Sequence, residues 1–166
     1  RDHVTHNAGG YFPYTPALSH LYGLRESLDM LLGEGMPNVA ARHRRLAEGV
    51  RRAVAAWGLR NCCIDPATQS DTVTAIVVPD GADAERVRDI AFRTFDLALG
   101  AGLGPLRGKV FRIGHLGDFN ELTLMGTLAG VEMGLQLAGV PHKKGGVQAA
   151  MEHLAATSGA GVRKAA

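Results

Sequence analysis

Cysteine is scarce in this chain: there are two, Cys62 and Cys63, side by side. Neighbours on an extended strand point to opposite sides, so the pair offers neither a disulfide framework nor a metal-ligand spacing. It suits two small buried or half-buried thiols in a reducing compartment. Aromatic residues make up 5%, and neither sign of charge dominates, with 18 Lys and Arg against 16 Asp and Glu. Few stacking surfaces and a net charge of +2 give no reason to expect a nucleic acid or an anionic membrane as partner. No apolar run approaches the roughly 20 residues of a membrane-spanning helix. No secretory leader pattern opens the chain either, and a cytoplasmic location is the expectation. An initiating Met is missing too. The chain opens on Arg1-Asp2-His3-Val4-Thr5-His6-Asn7-Ala8-Gly9-Gly10, polar and turn-rich, with neither a helical nor a strand period. The expectation is a part of a larger protein, ending in a small basic tail over 158–166 that frays.

What remains is ordinary globular material. The 166 residues are 46% hydrophobic and 20% charged, enough for one domain with its own core. Residues 11–17 carry two prolines and three aromatics and read as extended. Thr15-Pro16 is a helix start, Thr as N-cap and Pro at the first helical position. Leu18, Leu21, Tyr22, Leu24, Leu28, Leu31 and Leu32 then recur at helical spacing until Gly33 and Gly35. A second helix follows Pro37, with Leu46, Val50, Val54 and Trp57 in one stripe. Arg42, Arg44, Arg45, Arg51 and Arg52 crowd its remaining surface, either as an anion-binding patch or as a solvated basic face.

Strands are expected over 59–64 and 72–78, the second rich in β-branched residues and stopped by Pro79-Asp80-Gly81. Asp83 caps a helix carrying Ala84, Val87, Ile90, Ala91 and Phe95 on one side. Asp118 and Glu121 form a capping-box pair for a helix reaching about Ala138. A last short helix runs from Val147 to Ala156. The order suggests a small α/β sandwich, one sheet covered by helices.

Between these elements lies Gly108-Lys109-Val110-Phe111-Arg112-Ile113-Gly114-His115-Leu116-Gly117-Asp118. Alternation on this strand turns Phe111 and Ile113 one way and Val110, Arg112 and Gly114 the other. A guanidinium cannot deprotonate to escape burial, so a buried Arg112 needs an anion, and its planar fork suits a carboxylate. An edge-strand arginine facing solvent fits the same pattern. The preceding Gly100-Ala101-Gly102-Leu103-Gly104 invites a dinucleotide-loop reading, but it leads into a strand rather than opening a helix. A loop allowing close approach beside the Arg112 strand fits better. His115 either helps shape an anion pocket or makes a structural hydrogen bond. The seven histidines do not assemble with carboxylates or cysteines at metal-ligand spacing, and no nucleophile–base set emerges.

Two long segments resemble a known family. Phe12-Pro13-Tyr14-Thr15-Pro16, with Leu21-Tyr22-Gly23-Leu24-Arg25-Glu26-Ser27-Leu28, resembles the start of the domain-linking helix of class V pyridoxal-phosphate aminotransferases. Gly102-Leu103-Gly104, the Arg112 strand through Asp118, and Gly130-Val131-Glu132-Met133-Gly134-Leu135 resemble the C-terminal domain of the serine–glyoxylate and alanine–glyoxylate branch.

The resemblance implies the small C-terminal α/β domain of a fold-type I enzyme. It implies an interdomain segment over 1–16, linking helices over 17–58, and the small domain over 59–157. Arg112 falls on the arginine that binds the substrate α-carboxylate. Thr15 falls on a threonine whose hydroxyl reaches the cofactor phosphate of the neighbouring subunit in a homodimer. Where some members carry a phosphate-binding Tyr, this chain has Phe12, and Tyr14 is the candidate for the second hydroxyl. The Gly102-Leu103-Gly104 loop would lie near the mouth of the active site.

The family's cofactor-bearing lysine belongs to the large domain. Lys109, Lys143, Lys144 and Lys164 do not lie in its motif, so the chain alone is expected to be inactive. The implied parent uses pyridoxal 5'-phosphate to pass an amino group from serine to glyoxylate, giving hydroxypyruvate and glycine. Alanine or aspartate as donor, or a stand-alone carboxylate-binding module, are the alternatives.

Overall fold

A computed structural model describes residues 2–159, so the tail expected to fray lies outside the described residues apart from Ser158 and Gly159. The chain divides after Met36 into two compact units.

The first unit holds helices α1 (Asp2–Ala8) and α2 (Leu18–Glu34). Helix α1 corrects the expectation of an irregular opening. Asp2 stands in its first turn and His6 in its last, both favourable to the helix dipole, and His6 Nδ1 bonds the Asp2 carbonyl at 2.8 Å. Nothing on α1 is buried, so no apolar period marks it. Helix α2 also starts later than expected. The Leu18 amide bonds the Pro16 carbonyl at 2.9 Å, and Ala17 is the N-cap without a side-chain bond, so Thr15 does not cap. Gly35 closes the helix at φ 85, a conformation that favours glycine. Leu18, Leu21, Leu24, Leu28 and Leu32 of α2 stay exposed, and Leu31 is half-buried.

The second unit contains α3 (Met36–Ala56), β1 (Arg60–Asn61), β2 (Val73–Val77), α4 (Ala84–Phe95), β3 (Gly100–Ala101), β4 (Val110–Gly114), α5 (Glu121–Ala138) and α6 (Gly146–Ala156). The strands form one antiparallel sheet in the order β1-β2-β4-β3. The first expected strand shrinks to two residues. The glycine stretch expected to be only a loop supplies the edge strand β3, with Gly100 opposite Arg112 and Ala101 opposite Phe111.

Phe111, Ile113 and Ile76 turn to the helices and join Leu46, Val50, Val54 and Trp57 in the core. The α3 stripe is buried as its spacing predicts. On the opposite sheet face Val73 and Gly114 are exposed, Ala75, Val77 and Arg112 are half-buried, and Val110 is buried.

Several polar residues do more than the sequence reveals. Arg42 and Arg45 are buried, so they belong neither to a solvated basic face nor to an open anion patch. Arg45 reaches across to Glu121, the Leu154 carbonyl at 2.9 Å and the Thr157 hydroxyl at 2.9 Å, joining α3 to α5 and to the end of α6. Glu121 is thereby taken from the expected capping box. Its carboxyl is held below the usual range, chiefly by the Arg45 hydrogen bond. Asn120 caps α5 instead, its Oδ1 accepting the Thr123 amide at 2.9 Å. Asp83 caps α4 as expected. Cys62 is half-buried, whereas Cys63 is exposed rather than buried.

Candidate carboxylate site on strand β4

Arg112 sits at the centre of β4, an inner strand, so the edge-strand reading is corrected. Its paired neighbours are Ala75 on β2 and Gly100 on β3. Directly opposed residues share a face, so the guanidinium rises between a methyl group and a bare Cα. Its Nε donates to the Ala101 carbonyl at 2.9 Å. The other edge, Nη1 and Nη2, meets no protein acceptor among the described residues. A guanidinium pinned on one side with its paired donors free offers two parallel N–H groups, the geometry a carboxylate takes.

The loop that follows β4 is tied down from behind. The His115 amide donates to the Thr72 carbonyl at 2.9 Å, continuing the ladder. Its ring is fully buried, with Nδ1 3.1 Å from the Asp71 carbonyl and Nε2 3.0 Å from the Thr74 hydroxyl. A carbonyl only accepts, so Nδ1 carries the proton and Nε2 accepts from Thr74. Burial, assisted by the Arg51 charge, lowers its pKa to about 4 against the pull of the Asp71 carbonyl. His115 therefore makes structural hydrogen bonds and is neutral near pH 7.

His43 accepts the Gly117 amide at Nε2, 3.1 Å away, and its Nδ1 bonds the Val39 carbonyl at 2.8 Å. Arg42 Nη1 donates to the carbonyls of Gly117 at 2.9 Å and Phe119 at 3.1 Å. Sequence reasoning missed this clasp. Its only trace is the run Arg42-His43-Arg44-Arg45, which breaks the apolar rhythm of α3.

In the first unit, residues Gly10 to Pro16 curve around a wide-open concavity. Tyr14 and Thr15 are both exposed there, and neither hydroxyl has a hydrogen-bond partner among the described residues. Two unengaged hydroxyls fit a phosphate's acceptor oxygens. Phe12 lies in the same curve without a hydroxyl. The structure thus brings Tyr14 and Thr15 together in the first unit and sets Arg112 in the second.

The antiparallel sheet with its packed helices is a small α/β domain whose structural neighbours are pyridoxal-phosphate aminotransferases. The solved pyridoxamine–pyruvate aminotransferase of Mesorhizobium loti matches it with a TM-score of 0.82 at 33% identity, over 89% of this chain and 38% of that one. In sequence, the serine–glyoxylate aminotransferase of Methylorubrum extorquens is 54% identical over 92% of this chain and 38% of its own length. The L-aspartate–glyoxylate aminotransferase of Paracoccus denitrificans is 46% identical over 100% of this chain and 42% of its own. No family model matches. The chain belongs to the class V pyridoxal-phosphate-dependent aminotransferases, and it spans about two fifths of the length of these relatives.

Proposed function

We propose that this chain is the C-terminal part of a cytoplasmic, homodimeric aminotransferase that moves an amino group from serine to glyoxylate, yielding hydroxypyruvate and glycine. The observation that carries the reading is Arg112, held at Nε with its Nη1/Nη2 edge unengaged among the described residues. Amino donor and 2-oxo acceptor share a carboxylate and differ at the carbon beside it. One guanidinium therefore serves both half-reactions, fixing the carboxylate while the neighbouring carbon changes. Pyridoxal phosphate, when bound, supplies the electron sink for the transfer. Thr15 and Tyr14 would hold its phosphate through their hydroxyls, Thr15 across the dimer. None of the chain's four lysines, Lys109, Lys143, Lys144 and Lys164, lies in the family's lysine motif, so the chain by itself does not transaminate.

The similarity to the aspartate–glyoxylate enzyme favours one second reading, aspartate as donor. Arg112 recognises what all amino donors have in common and cannot choose between them. Steady-state turnover of the full-length enzyme with serine, aspartate and alanine separates the readings. Serine should give the highest kcat/KM with glyoxylate, and a preference for aspartate or alanine would replace serine. Serine-to-glyoxylate transfer by the 166 residues alone would overturn the reading of this chain as an incomplete catalyst.

A further inference from the structure

We propose that Gly100 is a positioning residue for Arg112, aiming the guanidinium by leaving it room and setting it against the Ala101 carbonyl. The inference rests on the reading of Arg112 as the carboxylate clamp and adds what fixes its direction. A Cβ built on Gly100 would stand 3.0 Å from Arg112 Cβ, 3.1 Å from Nε and 3.5 Å from Cζ. All three of its nearest neighbours belong to that one side chain.

The backbone at Gly100 does not call for glycine. Gly100 is absent from the positive-φ residues and lies in a strand that any residue can adopt. Gly102, two positions on, is the contrast. A Cβ there would meet the Leu106 carbonyl oxygen at 2.2 Å and the Val110 carbonyl oxygen at 2.9 Å, so the main chain itself demands glycine. The empty space at Gly100 serves the arginine. Arg112 lies down over the bare Cα, and in that position Nε reaches the Ala101 carbonyl at 2.9 Å. A methyl group at position 100 lifts the stem by a few tenths of an ångström, breaks the alignment at Nε, and turns the Nη1/Nη2 edge away from its carboxylate.

The test uses the full-length enzyme with Arg112→Ala, Gly100→Ala and the double variant. The readouts are KM and kcat for serine and glyoxylate, plus inhibition by 2-aminoethanol, which is serine without its carboxylate. Gly100→Ala should raise KM for serine and glyoxylate about tenfold while kcat changes less, because the re-aimed guanidinium loses one of its two charge-assisted hydrogen bonds to the carboxylate. Inhibition by 2-aminoethanol should not change. In the Arg112→Ala background, where the methyl group has nothing to displace, Gly100→Ala should add no further loss. If Arg112→Ala leaves both KM values unchanged, the clamp reading itself falls. If Arg112→Ala weakens both substrates and Gly100→Ala does not, only the positioning role is overturned. Equal weakening of serine and 2-aminoethanol by Gly100→Ala, or a further loss in the double variant, would mark general damage and also overturn it.

Discussion

The indole nitrogen of Trp57 donates to Glu132 Oε2 at 2.8 Å, and the same carboxylate accepts the Gly145 amide at 3.0 Å and the Val147 amide at 3.1 Å. One side chain of α5 thus caps the start of α6, whose own N-cap, Gly145, has no side chain to offer. Burial works against the ionised carboxyl, but the three donors outweigh it and hold its pKa below the usual range. Glu132→Gln replaces one acceptor oxygen with a donor that faces an N–H. It should cost about 1–3 kcal/mol, read as a lower urea midpoint with Trp57 fluorescence as the probe. A midpoint equal to the parent's would show that the cap is idle.

Gly146 lies under the same indole. A Cβ there would stand 2.2 Å from Trp57 Nε1, with no room to give in a fully buried ring. Gly146→Ala should destabilise by about 1–3 kcal/mol or more, from overpacking. It should also move the Trp57 emission, because the indole must leave Glu132 to make space. An unshifted spectrum at parental stability would contradict this packing.

His115 sets an acid limit on stability. Its pKa falls to about 4 in the folded protein from the ordinary 6.5, so the unfolded chain takes up a proton first as pH drops. The stabilisation is complete above pH 6.5 and is lost as pH falls from there through about 4. The full loss is about 3 kcal/mol for such a shift. Urea midpoints measured across this window should decline. In His115→Gln, which keeps a donor and an acceptor, that part of the decline should flatten. A parallel pH profile in the variant would assign the acid sensitivity to other groups.

Arg45 ties three helices together from a buried position. Arg45→Ala strands the Leu154 carbonyl and the Glu121 carboxylate. Glu121 is 40% exposed at its side chain, so water partly compensates it. A loss of about 2 kcal/mol is expected in chemical denaturation. Arg45→Met, which keeps the apolar stem, should recover part of it. Identical losses in the two variants would mean that packing of the stem contributes nothing.

Asn120→Ala removes the cap of α5 and should cost about 1 kcal/mol, with loss of helical ellipticity on mild heating. Retained melting behaviour would show that Glu121 and Thr123 suffice to start the helix.

Local signals were the legible ones. The Leu46–Trp57 stripe, the β-branched run of β2, the Asp83 cap and the alternation around Arg112 each depend on residues a few positions apart. Each appears as read. The exceptions are also physical. Asn120 caps α5 in place of Asp118, and Glu121 meets Arg45, far away in sequence. The His43–Gly117 bond joins residues 74 positions apart, and nothing periodic announces such a pairing. Helix α1 buries no side chain, so it has no apolar stripe to read. At the site, the strand pattern alone left Arg112 undecided. Only the register with Gly100 and Ala101 shows which of its edges is engaged and which is free.

Ala101 contributes to Arg112 through its carbonyl, an atom every amino acid supplies. The orientation of the guanidinium is therefore indifferent to the identity of side chain 101 and sensitive to any side chain at 100. Over evolutionary drift, position 101 can vary for the benefit of the core it faces without re-aiming the arginine. With Arg112 in the proposed role of carboxylate clamp, descendants that exchange one amino donor for another would inherit the same grip and make their changes elsewhere.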